Sequence, residues 1–290
     1  MNKTVALLIC VFAVGMAGAW AADMPKMAGG APAAEAIGWD LGCQAYSFNR
    51  YTFFEAVDKN ASLGLKVIEA YPGQTISKDS DAKIEPGMSE ELQKKVLDKL
   101  AEAGVKMVNF GVVGLPNDEA ACRKVFDFAR AMGVQTIVSE PPEDAFALID
   151  KLANEYEINV AIHNHPRPSH YWNYETVLKA CEGCSERIGA CADTGHWMRS
   201  GIAPVEALKA LEGRIISFHL KDLNAFGKRD AHDVPWGQGE ANMDAILAEM
   251  RRQGFEGVFS VEYEHNWENS VPEIAECVEY FNQTAAKLSK

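Results

Sequence analysis

The sequence has 290 residues and a formal net charge of −13, from 41 acidic and 28 basic side chains. This excess of negative charge, without any basic run, argues against nucleic acid and anionic membranes as partners. A chain of this length that is 48% hydrophobic suits one large α/β domain better than two small ones.

The first residues predict a signal peptide. Lys3 gives a positive start, residues 5–18 are apolar but too short to span a bilayer, and Ala19-Trp20-Ala21 fits the cleavage pattern. We assign residues 1–21 to the signal peptide and expect a periplasmic or secreted protein. Residues 22–35, rich in Ala, Pro, Gly and Met, predict a disordered lead-in.

Residues 36–290 predict repeated βα units. A glycine that ends a helix just before a β-rich run recurs at Gly64, Gly104, Gly133 and Gly254. The expected strands lie near 38–46, 65–71, 105–112, 134–140, 158–165, 188–193, 215–221 and 257–264. Apolar strands that alternate with helices predict a single-domain (β/α)8 TIM barrel. The alternative, an open doubly wound sheet, normally carries a glycine-rich phosphate turn after its first strand, which this sequence lacks.

Two cysteines three residues apart, Cys181 and Cys184, form the best local candidate for a disulfide in an exported protein. A zinc site would need a second pair of ligands at a suitable spacing, and none follows in the sequence. The other cysteines of the mature chain lie in apolar patterns and predict core positions.

The histidines are confined to one part of the chain. All seven lie near a predicted strand end or in the following loop: His163, His165, His170, His196, His219, His232 and His265. Packing alone explains such a distribution poorly, whereas the active sites of TIM barrels lie at the C-terminal ends of the strands.

The period of two along a strand predicts which of these side chains face inward. The predicted inward positions are His163 and His165 in the fifth strand, His219 and Lys221 in the seventh, Glu262 and Glu264 in the eighth, and Glu140 in the fourth. Asp193 ends the sixth strand, and Ser200 is the expected N-cap of the next helix. Acids outnumber bases at this rim, so a divalent cation balances the charge better than a salt-bridged network.

Four motifs occur in order along the chain: Asp193-Thr194-Gly195-His196, His219-Leu220-Lys221-Asp222, Trp236-Gly237-Gln238-Gly239 and Val261-Glu262. In these motifs the sequence resembles the xylose isomerase-like TIM barrels, the sugar phosphate isomerase/epimerase superfamily. The resemblance implies a metal held by Glu, Asp, His and Glu from successive strands.

Asp193, His219 and Glu262 match three of these ligands, whereas the fifth-strand acid is replaced by His163. Fourth-strand Glu140 is the expected substitute, which gives Glu140, Asp193, His219 and Glu262 as the predicted metal ligands. An acid there followed by His-x-His is similar to the inosose dehydratase branch. Mn²⁺ is the first choice of metal, with Mg²⁺, Co²⁺ or Zn²⁺ as alternatives.

Such a site supports removal of a proton next to a carbonyl and stabilisation of the resulting enediolate. We expect His163 or His165 to move the proton or to serve as a metal ligand, and the sequence leaves open which of the two does which. Glu262 and Glu140 are other candidates for the proton transfer, and Lys221 is expected to stabilise the oxyanion. The predicted activity is a sugar isomerase or epimerase. The alternatives are a lyase or hydratase acting on 3-keto-glycosides or inososes, and a non-catalytic sugar-binding protein.

The eighth loop, Glu264-His265-Asn266-Trp267-Glu268, is acidic and suits a phosphate poorly, although Lys228 and Arg229 follow the seventh strand. We therefore expect an unphosphorylated sugar or keto-sugar. Its predicted contacts are His196, Glu264 and the rim indoles of Trp172, Trp197 and Trp236. The sequence leaves open whether the chain forms a homo-oligomer.

Overall fold

The structure, a computed structural model, describes residues 28–290, so the predicted signal peptide lies outside the described residues. Its strands are β1 (Trp39–Gln44), β2 (Val67–Ala70), β3 (Thr75–Ser77), β4 (Ser80–Lys83), β5 (Lys106–Phe110), β6 (Thr136–Ser139), β7 (Asn159–His163), β8 (Ile188–Asp193), β9 (Ile215–Leu220) and β10 (Gly257–Val261). Its helices are α1 (Pro32–Glu35), α2 (Phe53–Ser62), α3 (Glu90–Ala103), α4 (Glu119–Met132), α5 (Phe146–Tyr156), α6 (Tyr174–Ala180), α7 (Thr194–Arg199), α8 (Pro204–Ala210), α9 (Met243–Gln253) and α10 (Val271–Leu288).

Eight parallel strands close into a barrel in the order β1-β2-β5-β6-β7-β8-β9-β10, while β3 and β4 form a separate antiparallel hairpin. Each of the eight predicted strands coincides with one barrel strand. The predicted TIM barrel is therefore confirmed. The hairpin, inserted between β2 and α3, is an element that the sequence analysis did not predict.

Local sequence signals explain several helix ends. The Ser89 side chain accepts a hydrogen bond from the Leu92 amide at the start of α3. Gly104 and Gly133 follow α3 and α4 in the left-handed conformation, at φ 67° and 75°. Each glycine returns the chain to the barrel within a few residues, which sets where the next strand begins.

Small side chains fill the barrel interior beneath the strand ends. Val138, Ala161 and Cys191 form one buried cluster, and Val67, Val108 and Val258 form another. Ala161 and Cys191 have the same strand parity as His163 and Asp193, so they lie directly below these polar ends. Ser217 and Ser260 take the same position below His219 and Glu262, so the layer beneath the site combines small apolar and hydroxyl side chains.

Several sequence predictions need correction. Residues 28–35 are not a disordered lead-in, because Ala31 and Ala34 are buried and the Ala33 amide donates to Asn282 Oδ1 at 2.8 Å. Ser200 is not the N-cap of α8; it ends α7, and its hydroxyl donates to the His196 carbonyl at 2.8 Å. The six cysteines in residues 28–290 are all free, including the candidate pair Cys181 and Cys184. None of the helices in residues 28–290 has the length and apolar character needed to cross a membrane.

Candidate active site

Four side chains from consecutive barrel strands meet at the C-terminal end of the barrel. His163, Asp193 and His219 lie in or at the ends of β7, β8 and β9, and Glu262 follows β10. Each offers one ligand atom, and these atoms lie within 4.8 Å of one another. Asp193 and His219 are paired neighbours across β8 and β9, so the barrel register itself brings them together. All four side chains are buried.

The fourth member of this group differs from the prediction. Glu140 lies just beyond the end of β6 and is not part of the four-residue group. His163 takes the position in this group that was predicted for Glu140. Glu140 instead forms a second group with His163 and His165. Its Oε1 is 3.1 Å from His163 Nδ1 and also contacts His165 Nδ1, and Ser169 donates to its Oε2 at 2.9 Å. Burial would raise the pKa of Glu140, but the two imidazoles lower it below its usual range.

The ammonium of Lys221 lies between two of the carboxylates. Its Nζ is 2.6 Å from Asp193 Oδ2 and 2.6 Å from Glu262 Oε2. Burial works against the charged lysine, but these two acids raise its pKa well above the usual value. Lys221 and neighbouring histidines in turn hold the pKa of both acids well below the usual range despite burial. The predicted inward position of Lys221 is confirmed, and its charge is fixed by its surroundings.

A residue that the sequence analysis missed supports His219. Glu69, in β2, accepts a hydrogen bond from His219 Nε2 at 2.8 Å and another from the Ser260 hydroxyl at 2.7 Å. This contact leaves His219 Nδ1 facing Glu262 Oε2 at 3.1 Å. The signal was present in the sequence: Glu69 is an acid inside the apolar run Val67-Ile68-Glu69-Ala70, at the end of a predicted strand.

The donor set fits a divalent cation. His163 Nε2 and His219 Nδ1 are buried and have no hydrogen-bond partner, although buried polar atoms are nearly always paired. Both nitrogens face carboxylate oxygens, at 3.5 Å to Asp193 and 3.1 Å to Glu262. Two imidazoles and two carboxylates suit Mn²⁺, Co²⁺ or Zn²⁺ better than Mg²⁺, which prefers oxygen ligands.

A cavity of about 500 Å³ opens above this group, within the usual size of small-molecule sites. His163, His165, His196, Glu262 and Glu264 all line it, as do Arg199, Arg229, Gln44, Tyr46 and Tyr71. Burial lowers the pKa of His196 well below its usual value, so this imidazole is neutral. Since Arg199 Nη1 donates to His196 Nδ1 at 3.0 Å, the proton of His196 is on Nε2, which lies 3.6 Å from Asp193 Oδ2.

The predicted indole contacts are not found in this cavity. Trp197 is 0% exposed and Trp236 is 2% exposed, and both belong to the hydrophobic core, so they cannot stack on a sugar at the mouth. Trp172 stacks instead beneath the Arg167 guanidinium, 3.7 Å from the ring centre. The aromatic side chains that line the cavity are Tyr46 and Tyr71, whose rings meet edge to face at 5.2 Å.

Comparison with known proteins gives the family. The family model for xylose isomerase-like TIM barrels matches residues 57–283. A solved structure of an uncharacterised protein from Parabacteroides distasonis is 32% identical, covers 85% of this chain and 99% of its own, and superposes with a TM-score of 0.69. No curated protein matches the chain in sequence.

Two more distant structures share the fold. An L-ribulose 3-epimerase is 14% identical over 86% of this chain and 95% of its own, with a TM-score of 0.62. The probable 3-DHS dehydratase AsbF of Bacillus anthracis is 15% identical over 83% of this chain and 97% of its own, also with a TM-score of 0.62. With its closed barrel, its ordered strand-end motifs and a family match over most of its length, this chain belongs to the xylose isomerase-like TIM barrel family.

Proposed function

We propose that the protein is a divalent-metal-dependent sugar isomerase or epimerase that removes a proton next to the carbonyl of an unphosphorylated sugar or keto-sugar. The observation that carries the proposal is the group of His163, Asp193, His219 and Glu262, with two unpartnered imidazole nitrogens at the base of the cavity. A cation held by these four residues would supply Lewis-acid polarisation of the substrate carbonyl. A non-catalytic sugar-binding protein would have no need for this group.

We assign the proton transfer to His165. Its side chain is half exposed and lines the cavity, whereas His163 is buried among the proposed ligands. The Glu140 carboxylate accepts from His165 Nδ1, which leaves the lone pair of Nε2 free to take a proton from the substrate. Lys221 is fully buried and does not line the cavity, so its charge acts on the reacting oxygen only through Asp193 and Glu262, each of which it holds at 2.6 Å.

The charge around the cavity supports a neutral substrate. Arg199 is engaged by Glu264 at 2.9 Å and lies 3.6 Å from Asp233. Arg229 lines the cavity, but Lys228 is not among its lining residues. With Arg199 engaged, Arg229 is the remaining cationic side chain in the cavity lining, beside Glu262 and Glu264, which is a poor arrangement for a phosphate dianion. The predicted signal peptide would place this chemistry outside the cytoplasm. Cell fractionation, followed by N-terminal sequencing of the recovered protein, tests this location.

A lyase or hydratase is the second candidate, favoured by the pairing of Glu140 with two histidines. This group of Glu140, His163 and His165 offers an acid that could protonate a leaving oxygen. The leaving oxygen would be bonded to the carbon next to the one that loses its proton. In such an enzyme His165 would remove the proton and return it to the departing group.

Incubation in D₂O with ketoses and 3-keto-glycosides, after reloading with Mn²⁺, distinguishes these reactions. Solvent deuterium in recovered sugar supports the isomerase, and an enone or its hydrate supports the lyase. No change in any substrate would rule out both enzyme proposals.

Metal content tests the site independently of the substrate. We expect the wild-type protein to hold close to one equivalent of Mn²⁺ after reloading, and Asp193→Ala and His219→Ala to hold far less. Glu143→Gln, an exposed carboxylate outside the four-residue group, is the matched control. Equal metal content in all four proteins would contradict the proposal.

A further inference from the structure

A second groove lies beside the active-site cavity, between the start of α2 and the β3–β4 hairpin. It has a volume of about 480 Å³, similar to that of the main cavity. We call it the hairpin groove; its lining includes Arg50, Glu55, Tyr71, Gln74, Ser77 and Lys78. None of these residues except Tyr71 lines the main cavity.

Tyr71 joins the two spaces. It follows the end of β2 directly and lines both the main cavity and the hairpin groove. Its ring meets that of Tyr46 edge to face, and Tyr46 contacts the Trp267 ring at 5.8 Å in the same manner. A ligand that continues from the main cavity into the groove would therefore cross an aromatic ring, a surface on which sugar faces commonly stack.

The hairpin groove also contains polar atoms without partners. Gln74 is 3% exposed and Ser77 is 6% exposed, yet Gln74 Oε1 and Ser77 Oγ have no hydrogen-bond partner. Because buried polar atoms are nearly always paired, these two indicate a ligand that supplies hydroxyl groups. The Gln74 amide is held in place by its Nε2, which donates to the Tyr51 carbonyl at 3.2 Å.

The charges in the groove are close to balanced. Its three cations, Arg50, Lys78 and Lys83, face two carboxylates, Glu55 and Asp81. Lys78 is paired with Glu55 at 2.7 Å. Burial would raise the pKa of Glu55, but hydrogen bonds from Lys78 and Thr52 keep it below its usual value. A groove with this charge balance suits a neutral polyhydroxylated group better than a phosphate or a strongly acidic or basic peptide.

We infer that the hairpin groove is a second saccharide subsite, and that the substrate is a disaccharide or glycoside whose reacting unit lies in the main cavity. The inference rests on the proposed function and makes its substrate class more specific. The reacting sugar lies over the four-residue group, and the second unit passes Tyr71 to reach Gln74 and Ser77.

Two substitutions test the subsite. Ser77→Ala removes an unpartnered hydroxyl, and Thr75→Trp fills the groove from the hairpin. We expect each to lower the ratio of kcat/KM for a 3-keto-disaccharide to that for methyl 3-keto-glucoside, by about three- to tenfold for Ser77→Ala, the effect of one neutral hydrogen bond. Asp79→Ala, on an exposed residue of the same hairpin that does not line the groove, should leave the ratio unchanged.

Binding of unoxidised sugars separates failure of the subsite from failure of the proposed function. Calorimetry with cellobiose and with methyl glucoside requires no turnover. If no substrate reacts but cellobiose binds more tightly than methyl glucoside, and Thr75→Trp abolishes the difference, the subsite stands without the proposed reaction. If both sugars bind equally, the subsite is refuted whether or not the protein is active. If the protein is active and both variants keep the wild-type ratio of kcat/KM, the subsite is refuted as well.

Discussion

At the scale of single residues, Glu69 sets the roles of the two ring nitrogens of His219. The carboxylate accepts from Nε2, so Nδ1 faces the four-residue group. Partners of this kind fix the tautomer and orientation of a metal-binding histidine, and their loss typically lowers metal affinity about 10- to 100-fold.

We therefore expect Glu69→Ala to weaken Mn²⁺ binding by about one to two orders of magnitude. Glu69→Gln should lose much less, because its amide oxygen can still accept from Nε2. Ser260→Ala, which removes only the second contact of Glu69, is the matched control. Metal titrations of the three variants check this, and equal dissociation constants for Glu69→Ala and Ser260→Ala would contradict it.

Asp233 is a buried acid with an unusual titration. Burial, together with the negative charges of Glu264 and Asp193, raises its pKa to about 8 in spite of the nearby cations Lys221 and Arg199. One of its oxygens, Oδ1, has no hydrogen-bond partner, and the other accepts from the Glu264 amide at 3.3 Å. The folded protein thus binds a proton here that the unfolded chain releases near pH 4.

A raised acid pKa stabilises the fold below the unfolded pKa, and this stabilisation is lost as the pH rises through the folded value. The wild-type protein should therefore lose stability relative to Asp233→Asn between pH 5 and pH 9, on the order of a few kcal/mol. Urea unfolding of both proteins across this range measures the difference. A difference that stays constant with pH would show that Asp233 is ionised in the folded state throughout.

At the scale of elements, α7 connects the barrel to the active site. Asp193 caps this helix through Oδ1, which accepts from the His196 amide at 2.7 Å, while Oδ2 contacts Lys221. Gly195, in the first turn, lies against the stem of Lys221. A Cβ on residue 195 would be 2.8 Å from both Cβ and Cδ of that lysine.

We expect Gly195→Ala to displace Lys221 from its two carboxylates. The overpacking should cost about 1–3 kcal/mol of stability, and the displaced ammonium should lower kcat. Gly114→Ala is the control, because a Cβ there meets nothing within 4 Å. If both variants show the same stability and the same kcat, Lys221 does not depend on the close approach of α7.

The elements also show which parts of the site the sequence could predict. Strand parity gave the inward positions of His163, His219, Lys221 and Glu262, because a side-chain period of two is a local property of the backbone. Parity does not predict which inward side chains meet. Glu140 follows the end of β6 just as Glu262 follows the end of β10, but Glu140 groups with His163 and His165 and not with Asp193, His219 and Glu262.

The loops were predicted least well, because burial of a loop side chain depends on what packs above it. Trp197 lies on α7 and is enclosed by the core, and the Trp236 ring packs against Phe281 of α10 at 5.8 Å. These contacts join residues far apart in sequence. Their geometry cannot be deduced from the motifs that contain the two tryptophans.

At the scale of the whole molecule, stability and chemistry lie at opposite ends of the barrel. The active site occupies the C-terminal ends of the strands, whereas residues 28–36 precede β1 and pack near its N-terminal end. There Ala31 and Ala34 are buried, Ala33 is bonded to Asn282 of α10, and Gly30 donates to the Leu63 carbonyl at 3.1 Å. In TIM barrels the N-terminal face generally contributes to stability rather than catalysis.

A chain that starts at residue 37 should therefore be less stable than one that starts at residue 28, with unchanged metal content per folded molecule. Loss of the two buried alanines and the Asn282 contact exposes part of α10, and each kcal/mol lost should lower Tm by about 2–4 °C. Asn282→Ala in the longer chain should reproduce part of this decrease. Thermal unfolding and metal analysis of the three proteins measure the two effects separately. Equal Tm values would show that residues 28–36 do not stabilise the barrel, and a parallel loss of metal would show that the two ends are coupled.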